Sequence, residues 1–306
     1  MCEYVQWSVD YIQQNATHVK VNPTKLKEKI LPLLDSIEQE TFDESIHEAP
    51  KDVESRLRYI LVVDALNFCF WPTDNFEYDD LTKGLTKLEQ EHPEIFEPKN
   101  MMNVSLELLS QYLVNEEKNV IANIEERTRL MREVGEILHK RFNDKATSLL
   151  EESQNDATTL VSLVAKEFPG FRDSTIYKGR QVFFYKRAQI VVGDIHGMCN
   201  CIKGLEKITG FADYRIPQVL LGWDVLDIEE SLKEKILKKE EIQCGSEEEI
   251  EMRCTVLSAI RIIQEIFMDV RKKLIEGHRI DWFLWSYGER NKEQLPPHHR
   301  TRTIFY

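Results

Sequence analysis

Three words of the sequence set an aspartate among aromatic side chains. In VVDALNFCFWP (62–72), Asp64 and Asn67 lie beside Phe68, Phe70 and Trp71. In GFADYRIPQVL (210–220), Asp213 stands between Phe211 and Tyr214, next to Arg215 and ahead of a proline-led helix start at Pro217. In IDWFLWSYG (280–288), Asp281 precedes Trp282, Phe283, Trp285 and Tyr287. A carboxylate in apolar surroundings is costly unless it is paired or hydrogen-bonded. Burial also raises its pKa, the direction that acid, base or cation-stabilising chemistry uses. Taken singly, each aspartate is more simply a structural group; the repetition of the pattern singles them out.

Two other words carry ligating residues. VVGDIHG (191–197) looks like the first metal-binding motif of serine/threonine-type metallophosphatases, with Asp194 and His196 as the donors. That chemistry needs two metals and further carboxylates from GDxxDRG and GNHE words, which this sequence lacks. The word then reads as a local turn at Gly193 and Gly197, and no metal is assigned. PPHHRTRTIFY (296–306) offers His298, His299, Arg300 and Arg302 as a metal tract or an anion clamp, with Ile304, Phe305 and Tyr306 as apolar anchors that could dock it.

The elements that must position these groups are mostly helical. Apolar residues recur at three-and-four spacing over 23–40, 104–115, 124–142, 145–167 and 247–276, the signature of amphipathic helices. The segments 59–71 and 181–192 are short and β-branched enough for strands, and periodicity alone does not separate these from buried helix. Pro, Gly, Asp and Asn cluster over 72–79, 168–180 and 288–297, which read as loops. The acidic run 247–251 reads as a solvated helix start, suited to the helix dipole.

With 306 residues, 42% of them hydrophobic, and only 12 Gly and 10 Pro, the chain is expected to form a single domain over 1–306, or two tightly fused lobes. Its formal net charge of −13 argues against binding duplex DNA or intact RNA, whose affinity is dominated by cations on phosphate. One nucleotide in a local pocket is still compatible with that charge. The six cysteines contain no CxxC pair and read as reduced thiols. The N-terminal stretch has no basic region leading into an apolar one, and no window approaches a membrane span, so a cytoplasmic protein without membrane contact is expected.

Read together, VVDALNFCFWP (62–72), FPGFRDSTIYKGRQVFFYKRAQI (168–190), FADYRIPQVL (211–220), IDWFLW (280–285) and PPHHRTRTIFY (296–306) resemble the queuosine 5′-phosphate N-glycosidase family of queuosine salvage proteins. The words are long, stand in the family's order and span nearly the whole chain. The resemblance implies a mainly α fold with few short strands, akin to the helix-hairpin-helix DNA glycosylases. It implies hydrolysis of the N-glycosidic bond of queuosine 5′-phosphate, releasing queuine for tRNA modification, with a nucleotide as ligand and no cofactor. It also favours helix over 181–192. A base-excision DNA glycosylase would be expected to show a basic face, whereas GWDVLDIEE after the putative hairpin word is acidic; a non-catalytic nucleotide-binding protein is the other alternative. The stretch VVGDIHGMCNC departs from the family's longer acidic and glycine-rich one, so no role passes to Asp194 or His196.

By the same resemblance Asp213 stabilises the sugar cation or activates water, and Phe211 stacks on the heterocycle. Asp281 accepts hydrogen bonds from the base, with Trp285 and Ser286 about one helical turn on. His47 resembles a family histidine near the base. Lys186, Arg187, His299 and Arg300 are the candidates for holding the 5′-phosphate. The deazaguanine base has carbon in place of N7, so protonation there cannot speed its departure and more of the barrier falls on the sugar side.

Overall fold

The computed structural model describes residues 2–41 and 50–306. In chain order its helices are α1 (Cys2–Asn15), α2 (Pro23–Ile30), α3 (Leu34–Gln39), α4 (Val53–Leu66), α5 (Tyr78–Glu91), α6 (Pro98–Met101), α7 (Leu106–Tyr112) and α8 (Ile124–Phe142). There follow α9 (Ser148–Ser153), α10 (Ala157–Glu167), α11 (Lys186–Cys199), α12 (Arg215–Gly222), α13 (Glu230–Leu237), α14 (Glu247–Arg271) and α15 (Gly277–Arg290). Four short strands, β1 (Val19–Val21), β2 (Ser174–Tyr177), β3 (Arg180–Phe183) and β4 (Leu226–Ile228), form two antiparallel pairs. The chain is thus mainly helical, and no helix among the described residues is long and apolar enough to cross a membrane.

The chain divides into two compact units. Unit 1 comprises Met1–Phe42, Ser174–Gln189 and Gly204–Thr303. Its centre is α14, which packs against α1, α2, α12, α15 and β1. The apolar stripe Met252, Val256, Ile260, Ile263 and Phe267 of α14 joins Leu26, Ile30, Ile216, Leu220, Ile280 and Leu284 in one buried cluster. Ser246 caps α14 by accepting from the Glu249 amide, and Asn22 caps α2 by accepting from Lys25, with Pro23 in the first turn. The β1 and β4 strands pair with Lys20 opposite Asp227. Unit 2 comprises Asp43–Asp173, Ile190–Lys203 and Ile304–Tyr306, and centres on α8 packed against α4, α6 and α7. There the buried Arg127 guanidinium lies 4.0 Å over the Phe68 ring and donates to the Phe68 carbonyl. Tyr306 is buried, and its carbonyl accepts from the Cys69 amide at 2.9 Å.

Several elements differ from the sequence reading. The 59–71 segment is helix only to the end of α4 at Leu66, after which Asn67 leaves helical geometry. The favoured helix over 181–192 begins only at Lys186, because 180–183 forms β3 in a hairpin with β2, inside what read as loop. A left-handed Gln154 splits 145–167 into α9 and α10, with Asp156 capping the second. The last loop begins later than expected, since α15 continues to Arg290. GDIHG is not a turn: Val191, Val192 and Ile195 are buried along α11, and the two glycines ride inside it. The acidic start of α14 is only partly solvated, for Glu249 and Glu251 are buried. Nor are all thiols free: Cys199 and Cys201 form a disulfide, their Cα atoms 5.2 Å apart across a left-handed Asn200.

Candidate functional site

The residues 208–214 leading into α12 have no regular secondary structure, so their backbone groups must find partners elsewhere. They find them in buried side chains of unit 1. Gln189 Oε1 accepts from the Thr209 amide at 2.9 Å and from its hydroxyl at 3.0 Å. The Phe211 amide donates to Asp281 Oδ2 at 2.6 Å, and Arg253 Nε donates to the Ala212 carbonyl at 3.1 Å. Within the segment, the Asp213 amide donates to the Phe211 carbonyl at 2.7 Å. Gly210 permits this approach: a Cβ there would lie 1.9 Å from Ile260 Cδ1 and 2.9 Å from Asp281 Oδ2.

Asp213 Oδ1 accepts from the Arg215 and Ile216 amides at 3.0 and 3.2 Å, closing the first turn of α12, which starts two residues before Pro217. Its Oδ2 has no protein hydrogen bond among the described residues and is the oxygen available to a ligand. Burial raises the Asp213 pKa, against the lowering charge of Lys186 and the two amides. Asp281 is raised well above the ordinary range, first by burial and then by the charge of Asp213; the Phe211 amide and Lys186 oppose the rise. Two carboxyl groups 68 residues apart in sequence therefore feel each other, and the buried Lys186 ammonium acts on both.

Phe211 is buried at the head of this cluster, and Trp285, one turn beyond Asp281 on α15, is half-buried. The Ser286 hydroxyl, next to Trp285, donates to Glu40 Oε1 at 3.3 Å. His47 lies outside the described residues. Arg187 is fully buried on α11. The tail reaches the site through Tyr214, whose ring lies 4.4 Å from that of His298. Burial lowers the pKa of His298 to about 4 and that of His299 to about 3. His299 is consequently a neutral imidazole and not one of the fixed cations expected of it. Arg300 is half-buried, its charge bears on His298, and its carbonyl accepts from the Ile242 amide at 2.7 Å.

Several residues that complete the site escaped the sequence reading. Gln189, Thr209 and Arg253 are an ordinary polar set with no spacing that marks them; Gly210, the first residue of the word GFADYRIPQVL, carried a signal that could have been used. Among the described residues, His18, Glu247 and Glu251 are the one group whose donor atoms approach a metal-binding cluster. Glu251 is already occupied there: it accepts from the amides of Thr17, His18 and Val19 and from the Tyr177 hydroxyl at 2.7 Å. His18 Nδ1 is engaged at 2.6 Å by Glu229. This cluster is a brace between α14 and β1.

A family model described as queuosine salvage protein matches residues 46–306. A Dictyostelium discoideum protein named queuosine 5′-phosphate N-glycosylase/hydrolase is 38% identical over 99% of this chain and 98% of its own length. Proteins of the same name from Sphaerobacter thermophilus and Bos taurus are 33% and 30% identical, each over 83% of this chain and 82% of its own length. With its sequence matched almost end to end, the chain belongs to the queuosine salvage protein family.

Proposed function

We propose that this chain hydrolyses the N-glycosidic bond of queuosine 5′-phosphate and releases queuine for salvage; its relatives carry the name queuosine 5′-phosphate N-glycosylase/hydrolase. The observation that carries the reading is the electrostatic coupling of Asp213 and Asp281 about the Phe211 amide, beside the buried Lys186. Breaking a C1′–N bond builds positive charge on the sugar, and a carboxylate held at C1′ stabilises that charge or takes a proton from the attacking water. Asp213 is assigned this work. Its Oδ1 is fixed by two amides, which leaves Oδ2 with one aim.

Phe211 is assigned to stack on the base, with Trp285 on the same pocket wall. Asp281 is assigned to the polar edge of the base or its aminomethyl arm; a bound cationic amine would return it to the carboxylate form that burial and Asp213 disfavour. His47 and Ser286 are kept as base-side residues. Arg187 and Arg300 remain as phosphate cations. Lys186 serves the carboxylates as well, and neutral His299 contributes an N–H donor at most. The wider reading is one hydrolase domain over 1–306, a helix-hairpin-helix glycosylase-like fold, a cytoplasmic setting, and no direct contact with nucleic acid.

The test is incubation with queuosine 5′-monophosphate, queuosine and guanosine monophosphate, followed by chromatographic detection of free base. Queuine should appear faster from the nucleotide than from the nucleoside, since a held dianion orients the sugar. No guanine should appear. Failure to release queuine from either queuosine form would sink the reading, and a preference for the nucleoside would replace it with a nucleoside hydrolase.

A further inference from the structure

Asp213 sits at the end of a stretch that secondary structure does not hold. Irregular backbone of this kind is the mobile part of a fold unless side chains fix it. Here the fixing is done by three buried side chains from three helices, each bonded to a different residue: Gln189 of α11 to Thr209, Asp281 of α15 to Phe211, and Arg253 of α14 to Ala212. Asp281 already has a place in the proposed reaction. The other two have none. Arg253 is 3% exposed, with its guanidinium 4.1 Å over the Phe184 ring and its Nε 3.8 Å from Glu249. Its hydrogen bond at 3.1 Å goes to the Ala212 carbonyl, one residue before the carboxylate. Gln189 is fully buried and makes a double bond to Thr209 while its Nε2 donates to the Phe184 carbonyl at 3.0 Å. Phe184 is thus gripped by both.

A charged side chain in a helix interior is costly, and one kept only for stability would be replaceable by an apolar residue of like volume. We infer that Arg253 and Gln189 are positioning residues that act on the reaction through the 209–212 backbone, fixing the direction in which Asp213 presents Oδ2. The inference rests on the reading of Asp213 as the reacting carboxylate. Neither residue touches the substrate in this account. Their contribution is to suppress displacements of Asp213 that, at about 1 Å, can cost about 10²-fold in rate.

The test compares the unmutated chain with two nearly isosteric variants, Gln189→Met and the double variant Arg253→Met with Glu249→Gln, which removes both members of the ion pair together. Melting temperature, queuine affinity, kcat on queuosine 5′-monophosphate and the pH profile of kcat are measured for each. Folded variants should lose roughly 10- to 100-fold in kcat. Queuine affinity should change less than about threefold, because the base is held chiefly by other groups. The acid limb should keep its midpoint while the plateau drops, since the charges that set Asp213 are those of Lys186 and Arg215. A role confined to filling the core would lower the melting temperature and leave kcat of the folded fraction alone. If the unmutated protein turns over and the folded variants stay within threefold of its kcat, the inference falls by itself. If the unmutated protein releases no queuine, the proposed reaction falls and takes this inference with it.

Discussion

Unit 1 and unit 2 each hold a pair of acidic groups beside aromatic residues. In unit 1, Asp213 and Asp281 share one buried ammonium, Lys186, and between them accept from three backbone amides. In unit 2, Asp64 of α4 and Asp194 of α11 both bear on the half-buried Tyr78, whose phenol pKa is pushed well above its ordinary value, first by desolvation and then by the two carboxylates. Both aspartates are buried. The difference lies in the company. The first pair has a cation and fixed amides that oppose the rise in pKa, and among the described residues one oxygen of each carboxyl accepts no protein hydrogen bond. The second raises a proton donor that stays protonated. A buried carboxylate becomes chemically useful when its surroundings both strain its ionisation and fix its direction.

The comparison breaks most sharply at Asp213. Asp213→Asn keeps the shape and can still accept from the Arg215 and Ile216 amides, but cannot stabilise a sugar cation. A loss of about 10³-fold in kcat is expected, with melting temperature and queuine affinity nearly unchanged. Turnover within threefold of the unmutated protein would remove Asp213 from the reaction.

Gly210→Ala comes next. The added methyl would meet Ile260 Cδ1 and Asp281 Oδ2, so the Phe211–Asp281 bond must open or the segment must shift. Overpacking of this kind costs about 1–3 kcal/mol. A drop in melting temperature should accompany a rate loss of about 10-fold to 100-fold, as for a reacting group displaced by about 1 Å. A variant with native kcat would mean that the segment tolerates displacement.

How much of this was legible beforehand follows from what each feature depends on. Helix α8 runs over 124–142 as its periodicity predicts, since an amphipathic stripe is local information. Over 181–192 periodicity did not decide, and the helix that the resemblance favoured gives way at its start, where the hairpin of β2 with β3 claims the first residues and the turn between them is set by pairing, not by period. Asp213, Phe211 and Asp281 were nameable from their words. Gln189 and Arg253 were not, because a buried polar residue serving a distant carbonyl leaves no pattern in its own neighbourhood. Glu251 misled for the same reason: it reads as surface charge and is buried because three amides of the residues before and within β1 converge on it.

Lys186 sharpens the comparison through pH. Its charge lowers the pKa of both unit 1 aspartates. Asp213 must be ionised to act, so activity should fall as pH drops through its raised pKa. Replacing Lys186 by Met removes a lowering influence, so the acid limb of kcat should move to higher pH. On the acid side of the limb the loss should approach about tenfold, the amount that a shift of about one unit can produce, and it should vanish on the plateau at higher pH. The measurement is kcat against pH for both proteins; an acid limb that stays in place, or moves down, would separate Lys186 from the carboxylates.

The smallest effect on turnover is expected in unit 2. Asp64→Asn removes one of the charges that raise the Tyr78 phenol while keeping volume on the buried face of α4. If this pair serves the packing of unit 2, disturbing it should cost about 1–3 kcal/mol, the range for a compromised buried polar contact. In chemical denaturation that appears as a lower midpoint with an unchanged slope, because the surface exposed on unfolding is the same. The kcat of the folded enzyme should stay within about threefold, since in this reading no reacting atom depends on Asp64. Comparing this variant with Asp213→Asn on one preparation decides the matter. Loss of stability with retained kcat keeps the two pairs distinct in kind. A kcat loss near that of Asp213→Asn at an unchanged denaturation midpoint would give Asp64 a share in the chemistry and would erase the distinction drawn between the two pairs.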